Sequence, residues 1–454
     1  MKRYIPVLVA IGVFLCIKLS GLSVRASDSN IYFYTATELL HGKLLYKDIF
    51  FTNFPLVPAI HALYVFILQH NLVLYYFTAA IEVGISSFLI YKIALEKSKD
   101  IFIATGTSCL YLFSFIILST SDHQTGVFTA SLFALLSYYT YTHKRVILTG
   151  IFAAAMILTK AYFLPLLVTY LVLMGKNRDK SIFTFIAVTI GSVFLILLPF
   201  LVFAPKELYA DIFQYSLTRG AGVSKLGILI FFIIHDPLIF TLLVVGIVRV
   251  SKELFFGIFY IFSLIFLVFY QDIYYLYLNF MIPFVCLSSV PIASAIKTKW
   301  RDSTDYVVLA ISMISLVNIV WYYVQFQEIG RVHQIESIKN EIVKLQPNVL
   351  YGTNDIAPAV SFLSNTPLLN TIIDTNANIF RKKYLNATKL TKDAIAQKAL
   401  LIGHGAYYPQ LGVDKPLIDE IFDEDLVKKS CRVVKTFPVV QEGMSNELTL
   451  AKCE

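Results

Sequence analysis

The chain has 454 residues, of which 57% are hydrophobic and 15% charged, and its mean hydropathy is +0.69. A soluble globular domain is nearer ~half apolar and ~a quarter charged, so this composition excludes a water-facing fold and makes the bilayer the solvent. The formal net charge of +8 comes from short basic clusters between apolar runs rather than from a basic groove, a positive-inside pattern that excludes nucleic acid as the expected partner.

An apolar run of about twenty residues crosses the hydrocarbon layer as a helix. The first such run, Tyr4 to Val24 behind Lys2 and Arg3, puts the N-terminus in the cytoplasm. It reads as an uncleaved anchor, because it is long for a signal peptide and holds Lys18, although Val24-Arg25-Ala26 also fits a signal-peptidase site. Either way residues 25–54 emerge as a first external loop. The apolar segment 55–69 is short for a span and suits a helix at the membrane interface. Spans are expected at 71–93, 101–119 and 125–142. The stretch 147–175 is expected as two short helices meeting near Lys160 and Pro165, since one helix would bury Lys160 mid-membrane at about 2.5–3.5 kcal/mol. The split puts Lys160 at the outer face. Further spans at 182–203, 232–250, 254–270, 273–295 and 304–325 bring the total to about eleven. Arg249, Lys252, Lys297, Lys299 and Arg301 mark the inner turns.

Beyond residue 325 charge rises and apolar runs shorten. Short β-rich runs at 348–351, 400–402 and 432–437 alternate with helical patterns at 334–345 and 391–397, with turn signals at Tyr351-Gly352-Thr353-Asn354 and Ile402-Gly403-His404-Gly405. The expected organisation is a membrane domain over 1–325 and a small α/β domain outside the membrane over 326–454. Of the five cysteines, Cys16, Cys109 and Cys286 lie in apolar runs, whereas Cys431 and Cys453 lie in the polar region. There they would pair as a disulfide if it faces an oxidising compartment.

Asp28 stands at the outer end of the first span. On pattern alone it is either a solvated cap for a helix over 29–40 or a catalytic acid. The surrounding motifs weigh on that choice. Asp28 is followed by Leu39-Leu40-His41-Gly42, then Tyr46-Lys47-Asp48, then Pro55-Leu56 at the start of the interfacial helix. Farther on come Asp122-His123 in the second external loop, Leu158-Thr159-Lys160 at the end of a short helix, and Tyr275-Leu276 through Pro283.

This series resembles the GT-C glycosyltransferases, the class that includes the lipid A aminoarabinose transferase and protein O-mannosyltransferase, and within it the RgtA/B/C/D-like group. The departures are Ser29 after Asp28 where many relatives have a second acid, Phe54-Pro55 in place of a proline pair, and Asp272-Ile273 before the late tyrosines. The resemblance implies a polytopic α-helical membrane enzyme, a hexosyl- or pentosyltransferase of the plasma (inner) membrane. It would move sugar from a polyprenyl-phosphate donor to a lipid, glycan or protein acceptor on the outer face. Asp28 would then be the general base, with Asp122 a second catalytic acid that orients the acceptor or holds a divalent metal ion together with Asp28, or else a structural residue. Lys160 and Arg219 would stabilise the donor phosphate. Tyr46, Asp48, His123, Tyr274 and Tyr275 would contact substrate or shape the loops. The competing expectation is a secondary transporter or flippase, which would show mid-span charges, broken helices and inverted repeats.

Overall fold

The computed structural model describes residues 2–215, 222, 224–248, 254–271, 273–299, 304–408, 413–415, 417, 419–439 and 447–454. The chain opens with α1 (Ile5–Ser20) and then α2 (Ser29–Leu40). The segment expected as an external loop thus contains the helix considered over 29–40, and every α2 residue from Ser29 to Glu38 is buried. A helix apolar or small all round is stable only when enclosed. Phe33 provides the clearest contact, meeting Tyr75 edge-on at 5.2 Å and Phe362 at 4.8 Å. Next come α3 (Leu56–Ile67), the short helix expected within 55–69, and α4 (Leu72–Ser98), a full-length apolar helix.

The expected span at 101–119 is broken into α5 (Ile101–Leu112) and α6 (Phe115–Thr120). The reason lies far along the chain. The carboxylate of Asp236 accepts from the Ser114 hydroxyl and from the backbone N–H groups of Phe115 and Ile116, all at 2.8 Å. Those are orphan donors of a helix start, which a carboxylate satisfies well. After α7 (Val127–Thr142) the stretch around Lys160 divides as expected into α8 (Val146–Thr159) and α9 (Leu164–Lys176), joined by a short 3-10 turn, with Lys160 in extended backbone at φ −147° and ψ 114°.

The full-length helix α10 (Ser181–Phe203) follows. The expected span at 232–250 is instead α11 (Lys225–His235) and α12 (Pro237–Val248), bent by 108° at Asp236. Pro237 offers no N–H to continue the first helix. The membrane part ends with α13 (Leu254–Phe269), α14 (Ile282–Lys299) and α15 (Thr304–Trp321). Among the described residues three helices are long and apolar enough to cross a membrane singly, Lys2–Ser20, Leu72–Ser98 and Ser181–Phe203, and the bent pair makes a fourth. The other apolar helices are shorter; the 12 residues of α5 rise about 18 Å, less than the ~30 Å hydrocarbon layer.

The C-terminal residues form an α/β layer: α16 (Ile335–Leu345), β1 (Leu350–Gly352), α17 (Ala357–Ser364), α18 (Ala387–Ala396), β2 (Leu400–Tyr408), β3 (Val413–Lys415), α19 (Glu424–Ser430), β4 (Cys431–Pro438) and β5 (Glu447–Cys453). The sheet runs β1-β2-β5-β4, with β1 parallel to β2, β5 antiparallel to both its neighbours and β3 pairing with the end of β2. Cys431 and Cys453 face each other across the β4–β5 ladder and are joined by a disulfide. This layer shares one apolar core with α2 and α3, where Ile31, Phe33 and Val57 lie in the same buried cluster as Ile338, Val360 and Ile402.

Candidate active site

Residues 24–30 are gripped from the C-terminal side. Val332 N–H donates to the Val24 carbonyl at 3.0 Å, Ala26 N–H to Gly330 at 2.7 Å and Ser27 N–H to the Asp355 carbonyl at 2.9 Å. Asn30 Nδ2 also donates to that Asp355 carbonyl, and Tyr76 OH donates to Asn30 Oδ1. Asp28 sits at the head of α2 in helical backbone, with no side-chain cap bond of its own. Its exposed carboxylate lines a cavity of about 350 Å³ instead and accepts from Asn354 Nδ2 at 3.1 Å. The helix expected after Asp28 is therefore present, while the capping role is not.

Lys160 lines the same cavity, 8% exposed. Its Nζ donates to Tyr32 OH at 2.8 Å and to Asn53 Oδ1 at 3.3 Å, and lies 4.8 Å over the Tyr32 ring. Asn53 is itself positioned by the loop before it. Tyr46, in left-handed backbone with φ 68°, donates its hydroxyl to the Asn53 carbonyl at 2.8 Å. Asp48 accepts from Leu44 N–H at 2.8 Å to close the turn. Tyr46 and Asp48 thus shape the loop that presents Asn53, and neither lines the cavity.

The third wall was not foreseen. His404 on β2 and Asp355 after β1 pair through Nε2 and Oδ2 at 2.7 Å, and Asp419 Oδ2 accepts from the His404 backbone N–H at 2.5 Å. All three line the cavity. The Gly-His-Gly stretch had the look of a turn, but it lies in a strand. A Cβ on Gly403 would come within 2.7 Å of the Asp419 carboxylate, so the glycine marks a close approach rather than a bend. Burial opposes charge on both partners, yet their mutual attraction prevails: Asp355 and then Asp419 push His404 up to about 9, and His404 holds Asp355 below the usual carboxylate range.

The folded imidazole keeps its proton to about 9 while its ordinary value is 6.5. Its stabilisation is therefore complete below 6.5 and lost as pH rises through 9; that of Asp355 is present above its ordinary 3.8 and lost as pH falls through its lowered value. The melting temperature of wild type in detergent is thus expected to exceed that of His404→Gln most at about pH 5–6 and least above about pH 9. An equal gap at both would contradict the pairing.

Asp122 is placed elsewhere. Lys18 Nζ lies 2.6 Å from Oδ1, Arg25 lies 3.2 Å from Oδ2, and Tyr322 OH donates to Oδ2 at 2.8 Å. Burial would raise this carboxyl, but the two cations hold it below its ordinary value. Lys18 further donates to the Leu118 carbonyl at 2.7 Å, and Arg25 to the carbonyls of Ile329 at 2.6 Å and Gln327 at 2.9 Å. The group fastens the end of α1 to the end of α6 and to the segment after α15. Asp122 does not line the cavity, and among the described residues no three His, Cys, Asp or Glu side chains are placed to hold one metal ion. The expected metal pair of Asp28 and Asp122 is therefore not assembled there. The half-buried His123 is likewise off the cavity, and burial, then the Arg25 charge, push it down to about 4. Tyr274 lines the cavity, whereas Tyr275 packs on Phe231 at 5.2 Å. Arg219 lies outside the described residues.

The helical membrane part with its broken apolar helices and the α/β layer over it form a fold found in solved structures. Among the solved structures that share it are two of ArnT from Cupriavidus metallidurans. The form bound to undecaprenyl phosphate has a TM-score of 0.63 and the apo form 0.61, each at 13% identity and covering 98% of this chain and 97% of that one. The sequence matches no family model and no curated protein.

Proposed function

We propose that the protein is a membrane glycosyltransferase that moves a sugar from a polyprenyl-phosphate donor to a hydroxyl acceptor at the outer face of the plasma membrane. The observation that carries this reading is that Asp28 and Lys160, far apart in sequence, line one cavity beneath the α/β layer. The fold is shared with ArnT, solved with undecaprenyl phosphate bound. Asp28 takes the proton of the acceptor hydroxyl, whose oxygen attacks the anomeric carbon from the face opposite the phosphate. The anomeric C–O bond breaks, its electron pair stays on the phosphate oxygen, and the sugar inverts. Lys160, held by Tyr32 and Asn53, places a fixed positive charge where that negative charge grows. The polyprenyl tail lies along the lipid-facing helices. Lys2 and Arg3 favour a cytoplasmic N-terminus, and the Cys431–Cys453 disulfide favours an oxidising compartment for the C-terminal layer.

A transporter would share the bent helix pair and its buried Asp236. That acid is occupied in capping α6, which gives the break a structural cause. Mass spectrometry of envelope glycoconjugates from cells lacking the gene tests the proposal. One glycoconjugate is expected to lose one pentose- or hexose-class residue and to regain it when the gene is restored. An unchanged glycoconjugate profile would sink the enzymatic reading.

A further inference from the structure

The cavity does not end at Asp28. A second one of about 350 Å³ adjoins it, and Tyr274, Asn354, Asn376 and Ala377 border both. Each is at the lower end of the ~300–1,000 Å³ range of ligand pockets, so a ligand entering beside Asp28 has room for a further unit beyond it. The charges bordering this path are distributed unevenly. The α/β layer brings Asp355, Asp419 and Glu420 to the first cavity, with His404 as its basic residue there, and Arg381 to the second. His404 is matched by Asp355 at 2.7 Å and Arg381 by Glu420 at 2.6 and 2.5 Å. Among the described residues this wall has no cation in excess of its carboxylates. Between the charges stand uncharged amides and a hydroxyl from Asn354, Asn376 and Thr375, with the tyrosines Tyr274 and Tyr277 also bordering the first cavity. The buried polar atoms of this wall that have no hydrogen-bond partner among the described residues include His404 Nδ1. A buried ring nitrogen left unmatched on a cavity wall is a site for a ligand oxygen.

We infer that this wall is the acceptor subsite and that it takes an oligosaccharide whose receiving sugar and its neighbour are uncharged or carry an amine, without phosphate or carboxylate. The inference rests on the glycosyltransferase reading and adds the acceptor's chemical class to it. Planar amide and carboxylate groups hydrogen-bond sugar hydroxyls in pairs, and tyrosine rings cover their C–H faces. A phosphorylated acceptor would set its charge against Asp28, Asp355 and Asp419 with no surplus cation among the described residues of this wall to balance it. Lys160, on the membrane side, serves the single phosphate of the donor.

Tandem mass spectrometry of the glycoconjugate that changes on gene deletion locates the sugar that receives the transfer. A neutral or amino sugar at that point, attached to another of the same kind, is the expected result. A phosphorylated sugar or a uronic acid there would overturn the acceptor class while leaving the transferase reading intact, whereas a glycoconjugate profile that does not change removes both. Asn376→Asp supplies a second arm. Asn376 accepts from Asn378 N–H at 3.0 Å to cap a short helix, and aspartate preserves that bond while removing the amide donor and adding a negative charge. In membranes the KM for the acceptor is expected to rise about 3- to 10-fold, the worth of one lost hydrogen bond, with the KM for the donor unchanged. An unchanged acceptor KM contradicts the subsite.

Discussion

Asp28→Asn is expected to lower sugar transfer by about 10²- to 10⁴-fold, the usual contribution of a positioned general base, while leaving the melting temperature in detergent unchanged. The substitution keeps the size and shape of the side chain and an oxygen that accepts from Asn354 Nδ2, now at 3.1 Å from Asp28 Oδ1. The residue is exposed to the cavity and makes no helix-cap bond that its loss could break. What disappears is a carboxylate able to take a proton. Initial rates of sugar incorporation in membranes, normalised to folded protein, measure the effect. A rate equal to wild type would remove Asp28 from the chemistry.

Asp122→Ala is expected to do the opposite, destabilising the protein by about 3–5 kcal/mol, the cost of leaving buried charge without its partner. Lys18 is 1% and Asp122 11% exposed in this pair, so water does little to replace the missing carboxylate. The double variant Lys18→Met with Asp122→Leu is expected to recover part of that loss, because apolar replacements of a buried pair are often tolerated. Thermal melting in detergent gives the order wild type, double variant, Asp122→Ala. An Asp122→Ala protein that melts like wild type yet transfers no sugar would return this acid to a catalytic role.

These two acids show what was legible in the sequence. Both follow an apolar run and both fitted a catalytic pattern; what separates them is the company they keep in three dimensions. Asp122 meets Lys18 and Arg25, which lie about a hundred positions earlier in the chain. Lys160 was legible because a charge in mid-membrane has one cheap remedy, to break the helix there, and the break is where it was expected. The breaks at Ser114 and Asp236 were not, because each segment is apolar enough to span and the bonds that divide them join residues 120 to 122 positions apart. His404 was hidden by its glycines, which have the composition of a turn and the geometry of a strand packed against a carboxylate.

The grip of residues 354 and 355 on the head of α2 has a consequence for the order in which the protein comes into being. Asp28 and Lys160 are synthesised early, but Ser27, Asp28 and Asn30 take up their positions through bonds to Asn354 and Asp355. A nascent chain that has released its first ten helices holds both groups without the surface that aligns them. The cavity is complete only when the final sheet is in place, so an abandoned translation product carries both residues without the wall that faces them.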